Sequence, residues 1–206
     1  MPAFPVFLSA LLVFALLGCT PSYQVVEVPQ YGADLYPTSQ TKAGITIAID
    51  EIRRPDRAER YFGSDLIREG ILPVNVVVSN YSKQSVTVRP SDILLYRGKE
   101  VIDPLPIPMI VAMAKQQHRF LASSTKEEVN KFFENSTFKE AVLLPNESYR
   151  GVVFFAPPAP KRLIDRWFTR YSTYSEGGPR IRMGVTHIDS GDRLLFGPFP
   201  VALPEN

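Results

Sequence analysis

Residues 71–80 read ILPVNVVVSN and carry the clearest strand pattern in the chain. Alternate residues of this stretch, from Leu72 to Val78, are apolar and fall on one face of an extended backbone, because successive strand side chains point to opposite sides. The polar turn NYS follows at 80–82, and the run SVTV at 85–88 predicts the return strand. The stretch therefore predicts an antiparallel β fold.

Short apolar runs recur along the rest of the chain and are separated by turn residues. Residues 45–49 read ITIAI, and their period-two alternation predicts a half-buried strand. The charged residues 53–57 predict a loop. The 19 prolines are typical of a β-rich chain with frequent turns. We expect a mainly β protein, an antiparallel β-sandwich, with further strands at 93–96, 100–102, 141–144, 148–155, 180–188 and 193–201.

Residues 103–140 break the strand pattern and predict a helical insertion in the β domain. Residues 103–108 read DPLPIP, which cannot form a central strand because proline lacks a backbone N–H. Residues 109–117 predict a short helix. A second helix is predicted after Thr125, which has the spacing of a capping box with Glu128. Its apolar stripe consists of Val129, Phe132 and Phe133.

The first 18 residues contain no charged side chain and end before the single cysteine of the chain, Cys19. The apolar run is shorter than the roughly 20 residues that a spanning helix needs, so we expect a signal peptide at residues 1–18. Residues 16–19 read LLGC and resemble the lipobox of bacterial lipoproteins. The resemblance implies cleavage before Cys19 and acylation, including palmitate, of its sulfur and new amino terminus. The alternative is an ordinary core thiol.

This resemblance implies a mature protein held at the bacterial cell envelope by lipid. Thr20 follows the cysteine, and the absence of aspartate there resembles an outer-membrane address that faces the periplasm. Residues 19–43 predict the lipidated N-terminus and a tether, since their prolines and polar residues disfavour regular structure. Residues 23–28 are the exception and could pair as an edge strand. The folded domain is predicted at 44–206.

Two segments carry a resemblance to known sandwich domains. Residues 72–88 are an apolar strand, a polar turn with asparagine and a second strand, and residues 144–155 read LPNESYRGVVFF. Together they resemble the Ig-like folds of small bacterial envelope lipoproteins and late-embryogenesis-type domains. The resemblance implies an Ig-like β-sandwich and no catalytic residues.

Composition and residue spacing argue against several classes of function. The 23 basic and 21 acidic residues give a net charge of +2, which is not the basic footprint of a nucleic-acid-binding protein. The histidines, His118 and His187, lie far apart, and with one cysteine they match no zinc motif. Ser190 follows His187 closely, but no Gly-x-Ser-x-Gly motif is present. We therefore predict no enzyme, no metal and no cofactor.

Residues 161–174 are the first candidate binding surface. A helix at 161–171 would place arginines at four-residue spacing beside aromatic rings, which suits sugars, lipid phosphates or a protein partner. The alternative is aromatic packing on the sandwich with solvated arginines. The second candidate is the insertion, whose apolar stripe either covers the sheet edge or forms part of a groove. Its residues are Met109, Met113, Phe132 and Phe133. The candidate surface residues are Arg162, Arg166, Trp167, Arg170, Tyr171 and Tyr174.

We expect a lipid-anchored lipoprotein that acts by contact with an envelope protein partner in envelope assembly or maintenance. The alternative is a carrier or sensor for a small apolar or glycan ligand, held between the sandwich and the insertion. A pocket of several hundred cubic ångströms would favour the ligand. Its expected lining is Met109, Met113, Phe132 or Trp167.

Overall fold

The computed structural model describes residues 25–28, 31–117, 123–156 and 178–201. Within these ranges the chain forms two antiparallel sheets that pack face to face. The first sheet has the strand order β1-β2-β3-β7, with β1 at Ser39–Lys42, β2 at Ile45–Glu51, β3 at Leu72–Asn80 and β7 at Glu147–Phe155.

The second sheet is built around a long strand, β4, at Val86–Arg97. Its order is β5-β4-β8-β9, and β6 pairs with the other end of β4. The strand bounds are Glu100–Ile102 for β5, Ala141–Leu143 for β6, Arg180–His187 for β8 and Arg193–Pro200 for β9. The mainly β sandwich predicted from the sequence is confirmed, whereas the Ig-like resemblance stays a prediction.

Helices in the described residues pack on the outer face of the first sheet. Helix α1 covers Pro55–Phe62, and the insertion between β5 and β6 forms α2 at Ile107–Gln117 and α3 at Ser123–Ser136. The helical insertion is therefore confirmed. None of the helices in the described part of the chain is long and apolar enough to cross a membrane.

The first sheet separates two apolar cores. The first core fills the space between the sheets and includes Ile47, Val76 and Phe155. The second core lies between the outer face of the first sheet and the helices, where Phe62, Phe133 and other residues surround the outward side chains of β7. All nine residues of β3 are buried, because this strand is covered on both faces.

Strand β2 is more deeply buried than the sequence pattern predicts. Residues 45–49 form a strand, but all five are buried instead of half-buried. A short 3-10 turn at Ala33–Leu35 covers their second face, where Ala33 packs with Ala48 and Val77. The second face is therefore buried too.

Two loop predictions are wrong. The predicted charged loop at 53–57 contains the start of α1, because Pro55 occupies the first turn and Gly63 ends the helix with φ 58°. The predicted tether contains β1, since Ser39–Lys42 pairs with β2 and the first sheet begins before residue 44. Residues 25–28 form no strand, and the Val26 N–H donates to the Arg60 carbonyl at 2.9 Å.

Side chains of β1 protect the free edge of β9. The Lys42 ammonium donates to the Leu195 carbonyl, and the Gly197 N–H donates to the Gln40 side-chain oxygen at 2.7 Å. Exposed strand edges pair readily with other chains, so these contacts reduce edge-to-edge association. They also join the two sheets at one side of the sandwich.

Candidate functional site

The strongest candidate site is a cleft on the outer face of the first sheet, beside α3. Its volume is about 250 Å³. Its floor comes from β3 and β7, one wall from α3 and the other from residues just before the 3-10 turn. The lining residues are Glu27, Val28, Asn75, Phe132, Asn135, Ser136, Arg150, Gly151 and Val152.

The strand register explains why polar groups meet on this face. Asn75 of β3 lies opposite Asp50 of β2 and Val152 of β7. Val77 lies opposite Arg150, one step further along the sheet. Because alternate residues share a face, Asn75 and Arg150 both point away from the sandwich core and toward the cleft.

Asn75 is buried and weakly hydrogen-bonded. It is 2% exposed, and its side-chain amide N–H donates to the Tyr36 hydroxyl at the long distance of 3.4 Å. No polar atom of its side chain is both fully buried and without a partner among the described residues. A hydrogen bond as long as the one to Tyr36 is weak, so the amide can bind a further group in the cleft. Asn75 therefore offers a fixed polar contact at the floor of the cleft.

Arg150 holds the positive charge at the cleft wall. Its guanidinium lies 3.4 Å from a carboxylate oxygen of Glu27, the acidic residue on the opposite wall. The Arg150 side chain is 31% exposed, whereas that of Glu27 is 78% exposed. An ion pair this long and this exposed contributes little to stability.

A stronger ion pair lies next to the cleft. The guanidinium of Arg57 on α1 donates two hydrogen bonds to the Asp50 carboxylate, at 3.0 and 2.5 Å. Burial disfavours the charged guanidinium, but hydrogen bonds to Asp50 and Tyr61 outweigh it and raise the pKa of Arg57. Asp50 and Arg57 thus neutralise each other, and Arg150 is left with the weaker partner.

Tyr36 gives a pH test of this polar cluster. Burial raises the pKa of the Tyr36 hydroxyl above its ordinary value of 10.0, and the charge of Asp50 raises it further. The folded state therefore holds this proton more tightly than the unfolded state does. Its contribution to stability is complete below about pH 10 and is lost as the pH rises through the folded pKa.

We expect Tyr36→Phe to lose less free energy of unfolding than the native chain does as the pH rises above about 10. Urea unfolding at a series of alkaline pH values measures this difference. Identical alkaline losses in the two proteins would contradict a partly buried Tyr36 hydroxyl near Asp50.

His187 lacks the hydrogen bond that would orient a catalytic imidazole among the described residues. The residue is buried at the end of β8, and its Nδ1 atom has no hydrogen-bond partner among the described residues. The hydrogen bond from Nδ1 to a carboxylate that would orient a catalytic histidine is therefore not formed by these residues. Within the same ranges, no three His, Cys, Asp or Glu side chains group as a metal site.

Several predicted site residues lie outside the described residues and stay predictions. They are Cys19, His118, Arg162, Arg166, Trp167, Arg170, Tyr171 and Tyr174.

Of the residues predicted to line a pocket, Phe132 does so. Met109 is 53% exposed, and Met113 packs partly against the second core. A second cleft of about 350 Å³ lies between the irregular middle of β4 and residues 103–107, and its lining is mainly apolar and proline-rich. Phe132 thus lies in a cleft between the sandwich and the insertion, and the ligand itself stays a prediction.

Sequence reasoning missed Glu27, Asn75 and Arg150. Asn75 was visible as the one polar side chain between Leu72 and Ser79. A polar residue inside an otherwise apolar strand often indicates a specific partner or site. Arg150 and Glu27 gave no such signal, because their contact spans 123 residues of sequence.

No known protein family matches the sequence, and no curated protein matches it significantly. Three solved structures show low similarity. A candidate lipoprotein of Bacillus subtilis, ycdA, is 14% identical with a TM-score of 0.39, over 77% of this chain and 37% of that one. This chain thus spans little more than a third of ycdA.

The yjhA protein from Bacillus subtilis is 9% identical with a TM-score of 0.38, over 78% of this chain and 95% of that one. A functionally unknown protein from Listeria monocytogenes is 12% identical with a TM-score of 0.36, over 80% and 81% of the two chains. At these scores we draw no conclusion about function from the three structures.

Proposed function

We propose that this protein is a lipid-anchored lipoprotein of the bacterial envelope whose domain binds a small glycan-type ligand and catalyses no reaction. Residues 16–19 support the anchor, because a small residue and a cysteine close an uncharged apolar run. Thr20 favours the outer membrane, facing the periplasm. Acyl chains contribute about 0.8 kcal/mol per buried CH₂, so several chains on Cys19 would hold the protein firmly.

One observation carries the binding role: a buried asparagine amide, held by a long 3.4 Å hydrogen bond, lies at the floor of a cleft of about 250 Å³. Ligand sites combine an apolar lining with a few fixed polar groups. Here Phe132 and Val152 supply apolar surface, whereas Asn75, Asn135 and Arg150 supply donors and acceptors. This mixture suits a ligand with one apolar face and several hydroxyl groups.

Contact with an envelope protein is the second candidate function. The outer face of the second sheet carries Tyr96 and Arg182, whose guanidinium lies 4.9 Å from the centre of the tyrosine ring. Leu195 on the same sheet is 59% exposed. Tyrosine and arginine are frequent at the centres of protein interfaces. This face is the surface on which a protein partner would bind.

The anchor is tested by Cys19→Ala. We expect the native protein to sediment with membranes and its N-terminal fragment to carry acyl chains on Cys19 in mass spectrometry. The variant is expected to retain its leader and to lack acyl mass, because it has no thiol to acylate. An unmodified thiol at position 19 in native material would contradict the anchor.

The choice between the two functions is tested by ligand-observed NMR with neutral and acidic monosaccharides and the full-length protein in detergent. If the cleft binds, Phe132→Ala and Asn135→Ala reduce saturation transfer to the sugar, and Leu195→Ala on the second sheet does not. Absence of transfer to any sugar would contradict the ligand role. Equal transfer in all three variants would place binding elsewhere.

A further inference from the structure

Arg57 and Arg150, the two arginines near the cleft, differ in how closely a carboxylate binds them. Arg57 makes two short hydrogen bonds to Asp50, at 3.0 and 2.5 Å. Among the residues that the structure describes, Arg150 makes one long contact, 3.4 Å to Glu27. An arginine side chain has five N–H donors in a planar fork, so most of the capacity of Arg150 is unused. The cleft thus contains a fixed cation with room for a better acceptor.

Arg150 is the more firmly placed member of its ion pair. It lies within β7, which forms part of the cleft floor, and 31% of its side chain is exposed. Glu27 lies in a segment without regular structure, and 78% of its side chain is exposed. The Glu27 carboxylate is already mostly in water, whereas the Arg150 side chain lies closer to the sheet.

The segment that carries Glu27 stays attached when this contact opens. The Val26 N–H donates to the Arg60 carbonyl at 2.9 Å, and Val28 packs against the second core. Release of the Glu27 side chain from Arg150 therefore leaves the cleft wall in place. Glu27 occupies the position that a ligand carboxylate would take.

We propose that the ligand of this cleft is an acidic sugar whose carboxylate replaces that of Glu27 on Arg150. Arginine binds carboxylates through two parallel hydrogen bonds, a geometry that the 3.4 Å contact does not achieve. The amides of Asn75 and Asn135 then bind hydroxyl groups, and the Phe132 ring covers an apolar face of the sugar. This inference rests on the proposed function, which places a glycan-type ligand in the cleft.

The test is isothermal titration of the full-length protein in detergent with D-galacturonate and with D-galactose, its neutral counterpart. We expect galacturonate to bind about tenfold more tightly, because only it offers a carboxylate to Arg150. Added salt is expected to weaken the binding of galacturonate more than that of galactose.

Two variants move the affinity for galacturonate in opposite directions. Arg150→Met keeps the apolar stem and is expected to weaken binding about tenfold. Glu27→Gln removes the internal competitor and is expected to strengthen binding about threefold. Arg89→Met is the matched control, because Arg89 pairs with Glu140 on the surface, away from the cleft lining, and its loss should change neither affinity.

Each outcome decides the proposal. If the native protein binds the two sugars with equal affinity and Arg150→Met does not change it, the carboxylate does not bind Arg150. The proposal of a glycan site would still hold. Binding of neither sugar would overturn both. If Arg150→Met fails to fold, the comparison of the two sugars and the Glu27→Gln variant still decide, since a purely structural ion pair predicts no gain of affinity on loss of Glu27.

Discussion

Replacing Phe133 by alanine is expected to reduce the free energy of unfolding by about 4 kcal/mol, near the middle of the range for a buried phenylalanine. Phe133 is fully buried in the second core. Its ring stacks on Phe62 of α1 at 6.0 Å and lies 5.8 Å from Phe154 of β7. Removing it would leave a cavity where α3, α1 and the first sheet meet.

Chemical unfolding followed by circular dichroism measures the loss. Phe132→Ala is the control, because Phe132 is adjacent on the same helix but only partly buried, and we expect a smaller loss. Should Phe133→Ala not fold, Phe133→Leu keeps part of the side chain and is expected to lose less. A loss below about 1 kcal/mol for Phe133→Ala would contradict an insertion packed into the domain.

Gly151→Ala is expected to destabilise the protein by about 3 kcal/mol, at the upper end for an overpacked core. A Cβ atom at Gly151 would lie 2.4 Å from Phe138 Cα and 2.6 Å from its backbone nitrogen. Backbone atoms cannot rotate away as a side chain can. The approach is this close because the Phe138 N–H donates to the Val152 carbonyl at 2.9 Å.

Gly98→Ala provides the matched control for this substitution. Gly98 lies in the turn between β4 and β5 with φ 60°, and a Cβ atom there would meet nothing within 4 Å. We expect a cost of about 1 kcal/mol, from backbone strain alone. Thermal or urea unfolding that ranks Gly98→Ala as the more damaging variant would contradict the contact between β7 and the chain after α3.

The strands could be predicted from the sequence because their signal is local. In residues 72–80, apolar side chains either alternate with other residues or follow one another along the full length of β3. Turn residues mark both ends of the strand. The helical insertion was predictable for the same reason, since proline excluded a central strand at 103–108 and an apolar stripe followed. The predicted bounds of α2 differ from the observed start at Ile107 by two residues.

The two failures have different physical causes. Helix α1 was hidden in a charged stretch, although Ala58, Tyr61 and Phe62 form its buried stripe. Strand β1 has an exposed, polar pattern and forms because β2 offers it an edge. A pattern of polarity cannot predict such pairing.

The cleft could be predicted only in its location. A groove with the sandwich is one of two interpretations of the insertion's apolar stripe, and Phe132 lines the observed cleft. The groups that give it chemistry lie on three separate segments, at Glu27, Asn75 and Arg150. Their convergence depends on strand register and on the path of the N-terminal segment, which are long-range properties of the fold.

The most direct test of this account is the amide NMR spectrum of the full-length protein in detergent, recorded during titration with D-galacturonate. The account predicts saturable shift changes concentrated at residues 25–28, Asn75, 132–136 and 150–152, the segments that meet at the cleft. Changes confined to the outer face of the second sheet, or no saturable change at all, would contradict a ligand site between the sandwich and the insertion.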